Sequence, residues 1–455
     1  MQVIKKVKNM ESFSFGKSAK KASIFLGALA LAVVPSVQGS SAAAFKQAAP
    51  QASDFKNSID WQQFKGSTLE LGVQTHPWMV AMEKQIPQFE ELTGIKVKYE
   101  LLGEDVAVPK IKQQLSAGAA TPDVFMVNAL GQAAAAGWLE PLDQFVNDPK
   151  LTDKTWYKID DIFAGGRSLA TFNGKLLAMP ISAEVQVLFT RSDLVKSCPK
   201  TMADLLVAAK AATKGTMAGF SSRGNPTGSE TPWPFGGFSF SAGGQFLNAA
   251  GKPVLNSKEN IAALKTYVAL MKAASPKGSS GWAWKENYAA IHDGTLAMFP
   301  DSSAFTAGLR DATSAGKTNL NVCPLPTTNG NSTPNVWFWT AGINTHSANK
   351  GAAWLFLQWA TSAPVTYAAQ TDVTTARSTA WKNPAAAAAM GPANTAIISK
   401  ALAAVSTKSM AAAWTNANWP QVADALARAV NKAITGGDPK KELDNAQKIA
   451  LTAIK

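Results

Sequence analysis

A short stretch at residues 336–344, VWFWTAGIN, places aromatic side chains where they could bind a solute. If the stretch is extended, Trp337 and Trp339 share one face and Phe338 lies on the other, because side chains alternate across a strand. One interpretation is that the tryptophan face looks into a ligand cleft. The alternative is that all three rings belong to the core, since large apolar rings usually pack inside a protein. The alternation predicts opposite behaviour for Phe338 and its two neighbours.

The residues that could catalyse a reaction or hold a metal are few. The three histidines include no pair at metal-ligand spacing, so we expect no metal and no cofactor. GFSSR at 219–223 resembles a nucleophile elbow but lacks the final glycine, and no phosphate-cradling glycine motif is present. Glu184 and Asp301 remain as a carboxylate pair that a secreted glycoside hydrolase could use. These motifs show no catalytic chemistry, although a carbohydrate-active enzyme that uses paired carboxylates stays an alternative.

The first 44 residues are typical of a secretory signal peptide. They carry six lysines against Glu11, then 13 apolar residues from Ala22 to Val34, then small residues. This run is too short for the roughly 20 residues of a membrane-spanning helix, and cleavage after Gly39 or Ala44 would fit. No cysteine lies near the cleavage site for lipid attachment, which favours a Gram-negative periplasm. No other run approaches 18 apolar residues, so we expect no membrane insertion of the mature chain.

Charge and cysteine content narrow the class of partner. The leader contributes +5 of the formal net charge of +13, which leaves +8 for residues 45–455. The lysines are scattered rather than clustered, so we expect no nucleic-acid partner. Cys198 and Cys323 could form one disulfide in an exported protein, but their separation in the sequence does not show whether they meet. The paired and the unpaired states both stay open.

The hydrophobic pattern predicts an α/β fold. TLELGV at 68–73 and IKVKYE at 95–100 alternate as strands, and the helical pattern between them begins after Pro77 and stops at Gly94. DVFMVN at 123–128 is typical of a fully buried parallel strand. About 410 mature residues exceed the usual size of one core, so two lobes are expected.

Later segments continue the same pattern. Residues 219–244 are rich in glycine, serine and proline and are expected to form a long loop, whereas the alanine tract at 385–389 is expected to be helical. Trp354 and Trp359 lie on one predicted helix and are assigned to the core. The further predicted helices are 200–213, 260–274, 350–363 and 421–434, and the further predicted strands are 185–190, 295–300 and 320–326.

The order of several motifs resembles that of a known family. The motifs are IPQFEELTGIKVKYE, PDVFMVNALGQAAAAGWLEPLDQF, NGKLLAMPISAEVQVLFTRSDL, PKTMADLLVAAK, HDGTLAMFPDSSA, VCPLPTTNG and AAWLFLQWATS. Together they resemble the family 1 extracellular solute-binding proteins, the carbohydrate receptors of bacterial ABC importers. The resemblance implies two discontinuous α/β lobes joined by crossing hinge segments, with the ligand in the cleft between them.

The resemblance also implies a division of the chain. The hinge crossings fall near 178–184 and 322–328, with a return near residue 370. The expected organisation is a signal peptide at 1–44, an N-terminal extension at 45–66, lobe 1 at 67–180 and 326–370, and lobe 2 at 181–325 and 371–455. The expected partners are a carbohydrate or polyol ligand and an inner-membrane ABC permease, and the mature protein is expected to be a monomer in the periplasm.

Position in the family pattern selects candidate ligand-binding residues. A sugar or sugar alcohol needs aromatic faces for its C–H patches and charged or amide groups for its hydroxyls. His76 and Asn128 are added because they follow parallel strands at the edge where open α/β sheets bind ligands; Asn128 stands where the family has an acidic residue. The complete set is Trp337, Trp339, Trp284, Trp233, Glu184, Arg223, Asp301, Arg377, Asn128 and His76.

Each candidate has a structural alternative, such as lobe core for Trp233 and Trp284, a surface ion pair for an arginine, a cap of hinge structure for Glu184 or a structural role for His76. Two arginines in the set would also admit an acidic sugar. A receptor for another solute, such as a peptide or a polyamine, is a further alternative, which the many tryptophans disfavour.

Overall fold

The computed structural model describes residues 49–328, 330–403 and 413–454. The predicted signal peptide at 1–44 lies outside the described residues. Across the three described ranges, none of the helices has the length and apolar character needed to cross a bilayer. The strands are β1 Thr68–Gly72, β2 Lys96–Tyr99, β3 Val124–Val127, β4 Thr171–Phe172, β5 Lys175–Leu176, β6 Met179–Pro180, β7 Glu184–Arg191, β8 Met298–Ser302, β9 Leu320–Cys323, β10 Val336–Trp337 and β11 Thr340–Ile343.

The first sheet has the strand order β2-β1-β3-β11-β6. β1 pairs in parallel with both β2 and β3, whereas β11 pairs antiparallel with β3 and β6. All four residues of β3 are buried, because this central strand is covered on both faces. The predicted buried parallel strand at 123–128 is therefore confirmed.

The second sheet is built around β7, which pairs antiparallel with β8, β9 and β10. Seven of the eight β7 residues are buried. The chain first passes from the first sheet to the second at 181–183, between β6 and β7, within the crossing expected at 178–184. Near this passage the Ala183 N–H donates to the Thr374 carbonyl oxygen at 3.1 Å, so the segment near residue 374 lies beside it.

The passage back to the first sheet differs from the expected one. Val336 and Trp337 pair with β7 in the second sheet, and Thr340 begins β11 in the first. The chain therefore crosses at 338–339 rather than at 322–328, because the segment before β10 still follows the second sheet. VWFWTAGIN is two short strands in different sheets and not one strand.

Helices occupy much of the chain between these strands and after β11. They are α1 Pro77–Glu83, α2 Ile86–Thr93, α3 Glu104–Ser116, α4 Leu130–Ala135, α5 Asp143–Asn147, α6 Lys154–Tyr157, α7 Ala164–Leu169, α8 Met202–Ala212, α9 Pro232–Ser241, α10 Lys258–Ala274, α11 Trp284–His292, α12 Lys350–Ala360, α13 Ala363–Ala369, α14 Pro384–Met390, α15 Pro392–Ala403, α16 Trp419–Ile434 and α17 Pro439–Ala453. Trp354 and Trp359 on α12 are fully buried, as expected for core.

Proline accounts for two differences from the predicted helices. The expected helix after Pro77 is split into α1 and α2, because Pro87 lacks an N–H and occupies the start of a new helix. Gly94 ends α2 with a left-handed backbone (φ 69°), as expected. The expected loop at 219–244 contains α9, whose ten residues are all buried. Its prolines lie in the first turn, where no N–H is needed, so the composition hid a buried helix.

The structure joins Cys198 and Cys323 in a disulfide, with a Cα–Cα distance of 5.6 Å. The bridge ties the segment before α8 to the end of β9, across 125 positions of sequence. Of the two states that the sequence left open, the structure has the paired one.

Candidate ligand-binding site

A cavity of about 500 Å³ lies at the carboxyl ends of the first sheet's parallel strands and extends to β7 and β10. Eight of the ten predicted site residues line it, which are His76, Asn128, Glu184, Arg223, Trp233, Trp284, Trp337 and Trp339. They come from strands, turns and helices on both sheets, so the fold brings distant parts of the sequence together at one surface.

His76 and Glu184 connect the two sheets at the cavity wall. The Trp78 N–H donates to His76 Nδ1 at 3.1 Å, which caps α1. Since Nδ1 accepts this bond, the ring proton lies on Nε2, which donates to Glu184 Oε1 at 3.0 Å. The Ser302 hydroxyl donates to Glu184 Oε2 at 2.6 Å. His76 follows β1 of the first sheet and Glu184 begins β7 of the second. This chain of hydrogen bonds therefore connects the ends of the two sheets.

Arg223 is held by two buried carboxylates. Its Nε and Nη2 donate to Asp301 at 2.8 and 2.6 Å, and its Nη1 donates to Glu230 at 3.0 Å. Burial lowers the pKa of the Arg223 guanidinium, but the two carboxylates outweigh burial and raise that pKa above its ordinary value. Three of the five guanidinium N–H groups are used, which leaves two that can donate to a ligand in the cavity.

Asp301 itself does not line the cavity. It is fully buried on β8 and both of its oxygens accept from Arg223. Asp301 was expected at the ligand, but the structure places it outside the cavity lining, where it holds Arg223 in position. Burial also raises the pKa of the neighbouring Glu230, an effect that Arg223 partly offsets.

Arg377 is a second correction, because it lies away from the cavity and is fully buried. Its guanidinium donates to the carbonyl oxygens of Tyr157, Lys158 and Thr361 and forms an ion pair with Asp161 at 3.4 Å. These carbonyl groups lie at the end of α6 and at the end of α12, so Arg377 ties the segment that follows α13 to both helices. It has a structural role in the fold.

Aromatic rings form the cavity walls. Trp337 makes an edge-to-face contact with Trp414 at 4.3 Å between ring centroids and further contacts with Trp339 at 5.7 Å and Trp233 at 6.3 Å. Trp337 and Trp339 both line the cavity, whereas Phe338 is 1% exposed and lies in the core. The two tryptophans that the sequence placed together thus both line the cavity, although the stretch is not the single strand on which that prediction rested.

Phe338 lies where the chain has no room for a larger neighbour. A Cβ added at Gly166 would meet Phe338 Cδ1 at 2.7 Å, so the ring packs directly on the α7 backbone.

Trp284 forms a further part of the cavity wall, where it stacks on Phe305 with a centroid distance of 5.2 Å. Flat faces of this kind match the C–H patches of a polyhydroxylated ligand.

Several cavity residues escaped the sequence analysis. Glu104 follows β2 at the same sheet edge as His76 after β1 and Asn128 after β3, so the rule that selected those two would have selected it as well. Trp419 lines the cavity at the start of α16, and Trp414 backs Trp337. The pair of tryptophans in AWTNANWP just before a predicted helix was the available signal.

The cavity provides binding groups but no metal centre. In the described ranges, no three His, Cys, Asp or Glu side chains are grouped so that they could hold a metal ion. The Asn128 side-chain amide donates to Gln74 Oε1 at 3.4 Å and retains hydrogen-bonding capacity towards the cavity. Rings, amides and a held guanidinium suit recognition of a neutral polar solute.

A sequence profile of the bacterial extracellular solute-binding proteins matches residues 73–367. The match spans more than half of the chain, and the chain belongs to this family. The fold is the two-lobed α/β fold of periplasmic solute-binding proteins, and the predicted family and fold class are both confirmed.

Curated relatives with similar sequences are binding proteins. An erythritol/L-threitol-binding protein of Mycolicibacterium smegmatis is 26% identical over 338 residues, which cover 68% of this chain and 70% of that protein. A mannitol-binding protein of Pseudomonas aeruginosa is 24% identical over 309 residues, which cover 65% of this chain and 69% of that protein. Because the family binds solutes for transport, the chain is not an enzyme, and the hydrolase alternative has no support.

Solved structures show the same fold. An ABC transporter solute-binding protein from Agrobacterium radiobacter in complex with ribitol has a TM-score of 0.76 and 24% identity, covering 85% of this chain and 99% of that one. Another from Agrobacterium vitis, with bound D-mannitol, has a TM-score of 0.75 and 22% identity, covering 85% of this chain and 97% of that one. These similarities place the described residues in the fold of ABC-importer binding proteins.

Proposed function

We propose that this protein captures a sugar or a sugar alcohol in the 500 Å³ cavity and delivers it to an ABC permease in the inner membrane. The observation that carries the proposal is the composition of the cavity wall, where tryptophan faces alternate with hydrogen-bonding side chains. The volume lies within the range of about 300–1,000 Å³ that is usual for small-molecule sites.

The aromatic and the polar groups of the cavity wall bind different parts of the ligand. C–H patches of the ligand stack on Trp337, Trp339 and Trp284, and its hydroxyls bond to the two unused N–H groups of Arg223 and to the amide of Asn128. The names of the two curated relatives, which concern erythritol, L-threitol and mannitol, support a linear polyol as the first ligand to test.

The proposal extends to organisation and location. Lobe 1 contains the first sheet and lobe 2 the second, joined at 181–183, at 338–339 and near residue 374. Ligand contacts from both lobes favour the closed arrangement.

Export by the leader would release a mature chain that begins between residues 40 and 45 into the periplasm, where it acts as a monomer. Intact-mass measurement of the osmotic-shock fraction tests this part, and a retained leader or a lipid adduct would contradict it.

A thermal-shift screen against sugars, polyols and uronates tests the ligand class. A ligand at 100 times its dissociation constant stabilises the native state by about 2.7 kcal/mol, which is readily measured. The expected result is stabilisation by at least one sugar or polyol with no turnover of a glycoside panel. Release of reducing ends, or stabilisation only by peptides or polyamines, would refute the proposal.

A matched pair of tryptophan variants ties binding to the cavity. Trp284 and Trp381 are both half-buried, but only Trp284 lines the cavity. Burying an aromatic face is worth about 1.5–3 kcal/mol, so Trp284→Ala should weaken binding roughly tenfold or more, whereas Trp381→Ala should leave the dissociation constant unchanged. Equal effects in calorimetric titrations would show that the ligand binds elsewhere.

A further inference from the structure

Glu104 is a cavity carboxyl group that no other described side chain satisfies. It is the first residue of α3, it lines the cavity and it is half-buried, and none of the hydrogen bonds of the described residues uses its side chain. Glu184 differs, because its oxygens accept from His76 and Ser302. Asp424 also differs, because it accepts from the Gly228 N–H at 2.9 Å.

The two arginines among the candidate residues are already paired with carboxylates. Arg223 lies between Asp301 and Glu230, and Arg377 is buried away from the cavity. The carboxyl groups that line the cavity outnumber its basic side chains: the former are Glu104, Asp105, Glu184 and Asp424, and the latter are Lys112 and Arg223. The charges of the two arginines that made an acidic sugar conceivable from the sequence are thus already balanced by carboxylates of the protein, although two Arg223 N–H groups can still donate to a ligand hydroxyl.

We propose that Glu104 is a ligand-binding residue that makes this cavity select uncharged polyhydroxy ligands against their carboxylate forms. The inference rests on the proposed function and specifies its ligand. A neutral carboxylic acid both donates and accepts hydrogen bonds, as a ligand hydroxyl does, so the two groups can bond in either direction.

The surroundings keep the Glu104 carboxyl in its neutral form. Burial raises the pKa of Glu104 to about 8, the negative charges of Glu230 and Glu184 add to this effect, and Arg223 and Lys285 partly offset it. The adjacent Asp105 is exposed to solvent. A negative charge on a ligand at the same place would be disfavoured by the same surroundings, with a tenfold loss of affinity for each pKa unit.

Proton linkage follows from this arrangement. The folded pKa lies above the ordinary value of 4.5, so the neutral acid dominates at pH 7 and is lost as the pH rises through about 8. If only the neutral form binds, the apparent affinity is reduced by the fraction of the protein in that form. Affinity for an uncharged polyol should therefore fall about tenfold between pH 7 and pH 9.

Isothermal titration calorimetry with ribitol and D-mannitol at pH 7 and pH 9 tests the inference. Glu104→Gln keeps a neutral donor and acceptor at every pH, so the affinity of this variant should show no decline between pH 7 and pH 9. Asp105→Asn is the matched control on the neighbouring residue and should keep the wild-type decline. Melting temperatures without ligand confirm that each variant is folded at both pH values.

The second arm compares D-mannitol with D-mannonate at pH 7, where mannonate should bind more than about 100-fold more weakly. Equal wild-type affinity at both pH values, a decline that persists in Glu104→Gln, or mannonate binding as tight as mannitol binding would overturn the inference while leaving the proposed function intact. If the wild type binds no sugar or polyol at pH 7, the proposed function fails and the inference fails with it.

Discussion

Substituting the adjacent residues Trp337 and Phe338 by alanine, one at a time, should distinguish a ligand-binding side chain from a core side chain. Trp337 is half-buried and lines the cavity, so Trp337→Ala removes a stacking face. The expected loss of ligand affinity is about 1–3 kcal/mol, or some 5- to 150-fold in dissociation constant. Phe338 is 1% exposed and contacts α7 through Gly166. Phe338→Ala should therefore cost about 3–5 kcal/mol of folding stability.

The aromatic contacts of Trp337 modify the expected stability effect. Its ring meets Trp414, Trp233 and Trp339, and each such contact is worth about 0.5–1.5 kcal/mol. Trp337→Ala will therefore lose some stability as well, and melting temperature alone cannot separate the two roles. The distinguishing quantity is the dissociation constant of the folded protein.

Calorimetric titration gives that dissociation constant, and urea unfolding followed by far-ultraviolet circular dichroism gives the stability. The calorimetric titrations are carried out without urea, under conditions where each variant is fully folded. The reasoning is refuted if Trp337→Ala binds the ligand like the wild type, or if Phe338→Ala binds at least tenfold more weakly although it is folded. Either result would mean that Trp337 and Phe338 are assigned to the wrong environments, the cavity for the first and the core for the second.

Three further variants and one scattering measurement test other parts of the structure. Arg377→Met should cost about 3–5 kcal/mol of stability with unchanged affinity, because buried carbonyl oxygens lose their donor; weaker binding by the folded variant would place Arg377 in the site after all. Removing the disulfide with Cys198→Ser and Cys323→Ser should cost about 2–5 kcal/mol in urea unfolding, and an unchanged midpoint would argue against the bridge. Asp301→Asn should weaken binding although the residue does not line the cavity, because Arg223 loses a charged partner; calorimetry showing wild-type affinity would mean that its remaining contacts suffice. Small-angle scattering should give a smaller radius of gyration with saturating ligand, whereas a constant radius would indicate a rigid site.

Local patterns were enough to predict most of the strands and four of the longer helices, α8, α10, α12 and α16. The apolar run of β3 predicts a strand buried on both faces, because the sequence displays side-chain periodicity directly. The alternation around Phe338 selected two rings that line the cavity, but it assumed one strand where the structure has two. The helix α9 was missed because its prolines and glycines resemble a loop, although prolines in a first turn are compatible with a helix.

Features that depend on long-range contacts could not be predicted in the same way. Asp301 and Arg377 are charged residues at family-like positions, but only the folded chain shows that one holds Arg223 and the other binds main-chain carbonyl oxygens. The passage at 338–339 was misplaced because an extended segment gives no sign of which sheet it joins. Local conformation could be predicted from the sequence, but the residues and strands that each segment contacts could not.

The indole pair formed by Trp337 and Trp339 at this passage provides a built-in optical reporter. Trp337 belongs to the second sheet and Trp339 lies within the passage to the first, with 5.7 Å between ring centroids and 69° between ring planes. Two transition dipoles so close together couple strongly, and their coupling changes with small rotations. Near-ultraviolet dichroism and emission of the unlabelled protein should therefore follow hinge movement in real time. Rapid-mixing experiments could then measure how fast the lobes close without attaching a dye.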